Sequence, residues 1–194
     1  MPRLIDHDER DRAIGDAAMR VLARDGLAAL SVRKIADEAG LATASLRRAF
    51  PTQLALRRYC VDRIHDAVAA RVTGLTGEGM PLAIALLLEL LPLDTTRRVE
   101  LIAQLQLGSL ALTDATLTES VRDLHDGVGL ICGVALGQLD LPDEIDIALE
   151  MLRLQALLDG LALHLLWADP ADPETHARRL LEHHLTSLTA RYPL

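Results

Sequence analysis

Residues 31–50 read SVRKIADEAGLATASLRRAF, and this stretch decides the fold. Val32, Ile35, Ala36 and Ala39 fall at i, i+3, i+4 and i+7, one apolar stripe on a helix of 3.6 residues per turn. Ser31 stands where a hydroxyl can accept an orphaned backbone N–H at the helix start. Gly40 stands where the chain must enter the left-handed region to stop the helix, a conformation that is cheap only without a Cβ. A second short helix follows. Its Leu46 and Phe50, four apart, share the buried side, so Ala44 and Arg48 point to solvent, with Ser45 and Arg47 on the flanks. Two short helices about a tight turn, the second presenting a small residue beside guanidinium groups, suit a DNA major groove. There Arg can bond guanine O6 and N7 bidentately and Ala can touch a thymine methyl. Two adjacent arginines alone would mark only a solvated face; the stop signal and the companion helix favour the DNA reading.

The 194 residues allow one or two domains with an ample core, since half of them are hydrophobic. Aromatics are scarce (Phe50, Tyr59, Trp167 and Tyr192), so the core must be built of Leu, Ala, Val and Ile, and an all-α fold is expected. The net charge of -8 hides an asymmetry: residues 1–75 carry 13 basic and 10 acidic side chains, residues 76–194 carry 7 and 18. Because phosphate attraction decays over roughly 8 to 10 Å at ordinary ionic strength, a basic N-terminal part can bind DNA despite a distant acidic one. Cys60 and Cys132 offer neither a metal spacing nor a disulfide framework, which points to a reducing compartment and to no metal or cofactor. Apolar runs such as 82–93 fall short of the ~18 to 20 residues of a membrane span. The opening MPRLIDHDERDRA is too charged for a signal peptide. A soluble, cytoplasmic chain with no membrane partner is expected.

Periodicity places a first helix from about Asp8 to Arg24, with Ile14, Ala17, Ala18, Val21 and Leu22 as its stripe and Gly26 after it. After Pro51, Thr52 can cap a helix running to about Val72, and the glycine-rich segment 73–79 is the strongest linker candidate. Further helices are predicted at 81–91, 95–112, 115–139, 143–168 and 174–190. The expected domains are 1–51 for DNA and 52–194 for ligand binding and dimerisation, the helix at 52–72 connecting them. In the helix at 143–168, Asp146, Glu150 and Arg153 form one narrow polar row, and the rest is apolar almost all round. One face cannot account for so much apolar surface. Burial against a second copy is expected, with Ala177, Leu180, Leu181, Leu185 and Leu188 of the last helix completing a four-helix bundle across a twofold axis. A central helix buried wholly inside a monomer stays open as the alternative. A homodimer would read a palindromic operator, two half-sites about 34 to 36 Å apart.

Ala17-Ala18, Gly26, Ser31, Ile35-Ala36, Ala39-Gly40-Leu41, Leu46 and Phe50 resemble, in order and spacing, the TetR family of bacterial transcriptional regulators. The run LLDGLALHLL at 157–166 is similar to the BetI-like subgroup. The resemblance implies a three-helix DNA-binding domain, a helical ligand-binding and dimerisation domain, and a small-molecule inducer. The chain departs from the family pattern where Arg47, Ala49 and Gln53 replace the usual Tyr, His and Lys, and where Ala42 replaces a Ser, leaving Thr43 as substitute cap. The Tyr and Lys normally grip phosphates. Arg47 is therefore expected to take over a phosphate, with Arg48, Thr43, Ala44 and Ser45 facing bases and Ser31, Arg33 and Gln53 touching the flanking backbone. Gln104, Gln106, His125, Cys132 and Trp167 are the expected pocket lining, polar or polarizable groups on apolar helices. So few aromatics disfavour a cage for a quaternary ammonium ion.

Catalysis is not expected. Asp159 and His164 are five apart and diverge around a helix, while His183 and His184 point about 100° apart. The expected function is a DNA-binding transcriptional regulator, a repressor released by a small apolar ligand. The alternative is a helical ligand-binding or interaction protein of the same fold that no longer binds DNA, in keeping with the missing Tyr and Lys.

Overall fold

The computed structural model describes residues 7–168 and 170–191. Among these it contains nine α-helices: α1 (His7–Asp25), α2 (Val32–Ala39), α3 (Thr43–Ala49), α4 (Gln53–Thr73), α5 (Gly79–Leu88), α6 (Thr95–Ala111), α7 (Thr118–Leu136), α8 (Ile147–Ala168) and α9 (Pro173–Arg191). Single 3-10 turns occupy Leu27–Ala29 and Ala115–Leu117. No strand occurs among the described residues.

Short polar side chains set most helix starts. Ser31 Oγ accepts the Lys34 N–H at 3.3 Å and Thr52 Oγ1 accepts the Ala55 N–H at 3.1 Å, as their positions suggested. Asp94, Asp146 and Asp172 accept N–H groups of Arg97, Leu149 and Thr175 at 2.8 to 3.0 Å, and Pro173 occupies the first position of α9. The Asp146 cap explains why α8 begins at Ile147 rather than near 143. The helix expected over 115–139 is divided and shortened: Asp114 accepts from the Thr116 amide and closes a 3-10 turn, and α7 stops at Leu136, directly before Gly137. Thr43 is the first helical residue of α3, and no side chain caps that helix, so the expected substitute cap is not formed.

Gly40 ends α2 at φ 67°, with the Leu41 N–H reaching back to the Ala36 carbonyl at 2.9 Å. Nothing lies within 4 Å of the position a Cβ would take there. Gly40→Ala is therefore expected to cost only backbone strain, about 1 kcal/mol. A lowered urea midpoint with an unchanged m-value is the result to look for; an unchanged midpoint would contradict a left-handed turn.

The chain divides into two compact units, the first comprising residues up to His65 together with Val99–Arg122, the second comprising Asp66–Arg98 and Asp123 onward. In the first, Ile14, Ala17, Ala18, Val21 and Leu22 of α1 pack with Ile35 and Ala36 of α2 and Leu46 of α3, all essentially inaccessible to solvent. Leu56, Cys60 and Ile64 of α4 and Ala103 and Leu107 of α6 extend this core. In the second, four residues of the α9 stripe expected at a dimer seam, Ala177, Leu181, Leu185 and Leu188, are instead buried within the chain, leaving Leu180 of that stripe exposed; Leu154, Leu158 and Leu165 of α8 and Leu87 of α5 are buried too. The segment 74–78 falls inside this second unit. Arg71 and Arg97 both pair with Glu89 there, fixing the start of α6 beside the end of α5.

Helix α8 is long and apolar enough, by length and composition alone, to cross a membrane. It is nonetheless a core helix on one side: Met151 stands against Gly133 of α7, and the His164 ring stacks on His176 of α9 with centroids 5.6 Å apart. Its opposite side is also apolar. Leu149, Leu152, Ala156, Gly160 and Trp167 form an exposed apolar row at helical spacing, bordered by Arg153, which pairs with Glu150.

The buried Cys60 and Cys132 thiols are both pushed up to about 12 by burial, above any pH at which a thiolate would form in the folded chain. Titration of the native protein with a thiol-reactive disulfide at pH 8 is expected to show two silent cysteines, both reacting once denaturant is added. Prompt native reaction of either would mean that its surroundings open readily.

Candidate nucleic-acid interface

Helix α3 seats itself through Leu46, which is wholly buried, and Phe50, whose ring lies 4.9 Å from that of Tyr59 on α4 in a tilted pair. The Tyr59 hydroxyl in turn donates to the Asp11 carbonyl on α1 at 2.8 Å. Burial raises this phenol to about 12, so it stays a neutral donor. With Leu46 inward, Ala44, Arg47 and Arg48 are exposed, and Thr43 and Ser45 are half-buried on the flanks. Arg10 of α1 reaches this row: its Nη2 donates to Ser45 Oγ at 2.6 Å.

Ion pairs neutralise several cations of this unit away from α3. Arg20 and Arg24 pair with Glu38, Arg24 and Lys34 with Asp25, and Arg57 with Asp114. Hydrogen bonds from Arg24 and then Lys34 hold the Asp25 carboxyl down at about 2, and those from Arg20 and Arg24 lower that of Glu38. These acids are therefore ionised at any pH compatible with DNA, and they neutralise the cations beside them. Among the described residues, Arg33, Arg47 and Arg48 have no hydrogen bond or ion pair, a state shared in this unit by Arg12, Arg63 and Arg122. Positive potential is left where α3 meets solvent.

Ser31 and Gln53, read from sequence as flanking backbone contacts, have structural tasks as well. Ser31 caps α2, and the Gln53 side-chain amide donates to the Leu30 carbonyl at 2.6 Å, tying the start of α4 to the chain entering α2. Arg10 was missed by the sequence reading. Nothing in the pattern of α1 reveals that this cation meets a hydroxyl 35 residues away.

The five expected pocket residues are divided between the two units. Gln104 and Gln106 belong to the first unit. There Gln106 Nε2 donates to the Leu22 carbonyl at 3.4 Å, and its Oε1 is buried without a partner near the Gly26 turn. His125, Cys132 and Trp167 belong to the second. Trp167 is 76% exposed at the C-terminal end of α8 and lines no interior space. What the second unit does gather is His125, Cys132, Asp159 and Gln155, the last of which sequence reasoning passed over. The buried Gln155 amide donates to the His125 carbonyl at 2.9 Å. Burial raises the Asp159 carboxyl, and burial and then Asp159 raise the Cys132 thiol. The signal for Gln155 was its lone amide in an otherwise apolar stretch of α8.

A three-helix reader with its free cations on the second helix of the motif, joined to a helical second unit, defines a helix-turn-helix DNA-binding regulator. Residues 14–60 match the family described as bacterial regulatory proteins of the tetR family, and residues 82–190 match the C-terminal domain of BetI-type transcriptional repressors. The chain belongs to the TetR family of transcriptional regulators. A relative from Bacillus subtilis (strain 168), the HTH-type transcriptional regulator PksA, is 29% identical over 196 residues, covering 97% of this chain and 94% of its own. A transcriptional regulator from Rhodococcus sp. Rha1 shares the fold with a TM-score of 0.80 at 22% identity, covering 95% and 98% of the two chains. The multidrug binding protein EbrR, solved with malachite green, is 25% identical with a TM-score of 0.66, covering 90% and 97%. A regulator from Saccharomonospora viridis solved with choline has a TM-score of 0.72 at 21% identity, covering 93% and 97%.

Proposed function

We propose that this regulator is a homodimeric, cytoplasmic repressor that binds a palindromic operator through α3 and is released by a small apolar ligand. The observation that carries the reading is the pair Arg47 and Arg48: exposed on α3 and unpaired among the described residues, while Arg20, Arg24, Lys34 and Arg57 of the same unit are neutralised. Arg48, with Thr43, Ala44 and Ser45, faces base edges; Arg47 reaches a phosphate in place of the family's missing Tyr and Lys; Ser31, Arg33 and Gln53 stand at the flanking backbone. Dimerisation uses α8 and α9. Leu149, Leu152, Ala156, Gly160 and Trp167 give α8 a second apolar face, and the small residues at its centre allow close approach of a symmetric copy.

For the ligand, Gln104, Gln106, His125 and Cys132 remain the polar candidates, joined by Gln155 and Asp159; Trp167 is better placed for the dimer face. Choline, seen with one structural neighbour, fits poorly. Phe50 and Tyr59 are committed to seating α3 and Trp167 faces outward, which leaves no described aromatic cage for a quaternary ammonium ion. A neutral, largely apolar molecule is favoured. Footprinting on the DNA upstream of the gene, repeated with candidate apolar metabolites, tests the whole reading. A protected inverted repeat that is lost with one such compound supports it, and the absence of any protected site returns the balance to a fold that no longer binds DNA.

A further inference from the structure

We propose that Arg10, on the first turns of α1, is a positioning residue for sequence reading: it fixes the Ser45 hydroxyl of α3 as a hydrogen-bond donor toward a base. The proposal rests on the assignment of α3 as the reading helix. Arg10 Nη2 and Ser45 Oγ are 2.6 Å apart in a part-buried contact between residues 35 positions apart in sequence. A serine hydroxyl has one proton to give and two lone pairs to accept with, and its free rotation lets it play either part. A guanidinium can only donate, so it occupies one lone pair, makes the other a poorer acceptor through its positive charge, and leaves the proton to point elsewhere. The cationic donor also polarises the O–H bond, making it a better donor in turn.

The consequence is a base preference. In the major groove guanine offers N7 and O6, adenine N7 and thymine O4 as acceptors, whereas cytosine offers the N4 amine, a donor. A Ser45 held as donor disfavours cytosine at the one position it touches in each half-site. An untethered serine would turn its lone pairs to that amine and lose the distinction.

The geometry is held from a second direction. Tyr59 donates to the Asp11 carbonyl, one residue from Arg10, and its ring packs on Phe50 at the C-terminal end of α3. The start of α1 and the end of α3 are thus anchored to the same side chain of α4, which limits drift between Arg10 and Ser45.

The test starts with selection of an operator from random-sequence duplexes by the full-length wild-type chain. Affinities for that duplex and for its single-base replacements are then measured across a salt series. Wild type is compared with Arg10→Met, Arg10→Lys, Ser45→Ala, Arg10→Met/Ser45→Ala and Arg48→Ala. Arg10→Met and Ser45→Ala are expected to lose, by roughly tenfold, discrimination against cytosine at the same base position. The double variant should be no worse than Ser45→Ala, since the two act as one unit, and Arg10→Lys should recover most of the preference. A loss uniform over all duplexes with the salt slope reduced by about two per dimer would make Arg10 an ordinary phosphate contact and overturn the proposal. Additivity with Ser45→Ala, or intact discrimination in Arg10→Met, would overturn it equally. Failure of the underlying reading shows elsewhere, as a wild type that selects no duplex or an Arg48→Ala chain that binds like wild type.

Discussion

Arg48→Ala is expected to weaken operator binding at least about thirtyfold and to erase the preference for one base pair in each half-site. A bidentate arginine–guanine contact is worth about 1 to 3 kcal/mol, and a homodimer loses two, so ~2 to 6 kcal/mol is at stake. Arg48 stands in the exposed row opposite buried Leu46 and has no partner among the described residues, so its removal leaves no buried group unsatisfied. The effect should therefore fall on DNA and not on folding. Arg47→Ala should behave differently, with affinity falling for every sequence alike and a salt slope shallower by about two per dimer. Fluorescence anisotropy against specific and scrambled duplexes at several salt concentrations separates them. Unaltered specificity in Arg48→Ala, or an unaltered slope in Arg47→Ala, would refute the assignment of that residue.

Ala156→Glu is expected to convert the protein to monomers at micromolar concentration and to lower operator affinity by roughly a thousandfold, since two linked half-sites give way to single ones. Ala156 lies at the middle of the exposed apolar row on α8, between Leu152 and Gly160. A carboxylate there would be brought against the carboxylate of its symmetry mate, and Arg153, three residues away, is already engaged by Glu150, so the penalty is several kcal/mol. Glu is a good helix former, so α8 itself should persist. Sedimentation and circular dichroism together are decisive: a variant that stays dimeric with native operator affinity would move the interface away from α8 and α9.

The architecture was legible in the sequence wherever a pattern was local. The stripe on α2, the Ser31 cap, the Gly40 stop and the inward turn of Leu46 follow from spacing alone, because each is decided within one or two helical turns. Helix starts near 115 and 147 were misplaced because an Asp side chain, not apolar periodicity, sets them. The exposed face of α8 was foreseen from excess hydrophobicity, since one buried stripe could not use all of it. The surroundings of the candidate pocket residues were hardly legible. Gln106 is engaged with the end of α1 and Trp167 with solvent, and neither fact can be inferred from a polar group on an apolar helix. Arg10 was invisible for the same reason, its contact being distant in sequence, while Gln155 showed only as a lone amide in an apolar stretch.

The first unit contains Val99–Arg122 as well as the N-terminal helices, and Arg57 and Arg58 of α4 reach Asp114 and the Thr116 carbonyl within it. A specificity swap built by exchanging only the first fifty residues with a related regulator would graft a reading head without its native support. Chimaeras that also carry the donor's stretch around 99–122 should be better behaved. Cutting the chain within 74–78 would sever that support from the reading helices, because residues 99–122 follow the cut although they belong to the same compact unit.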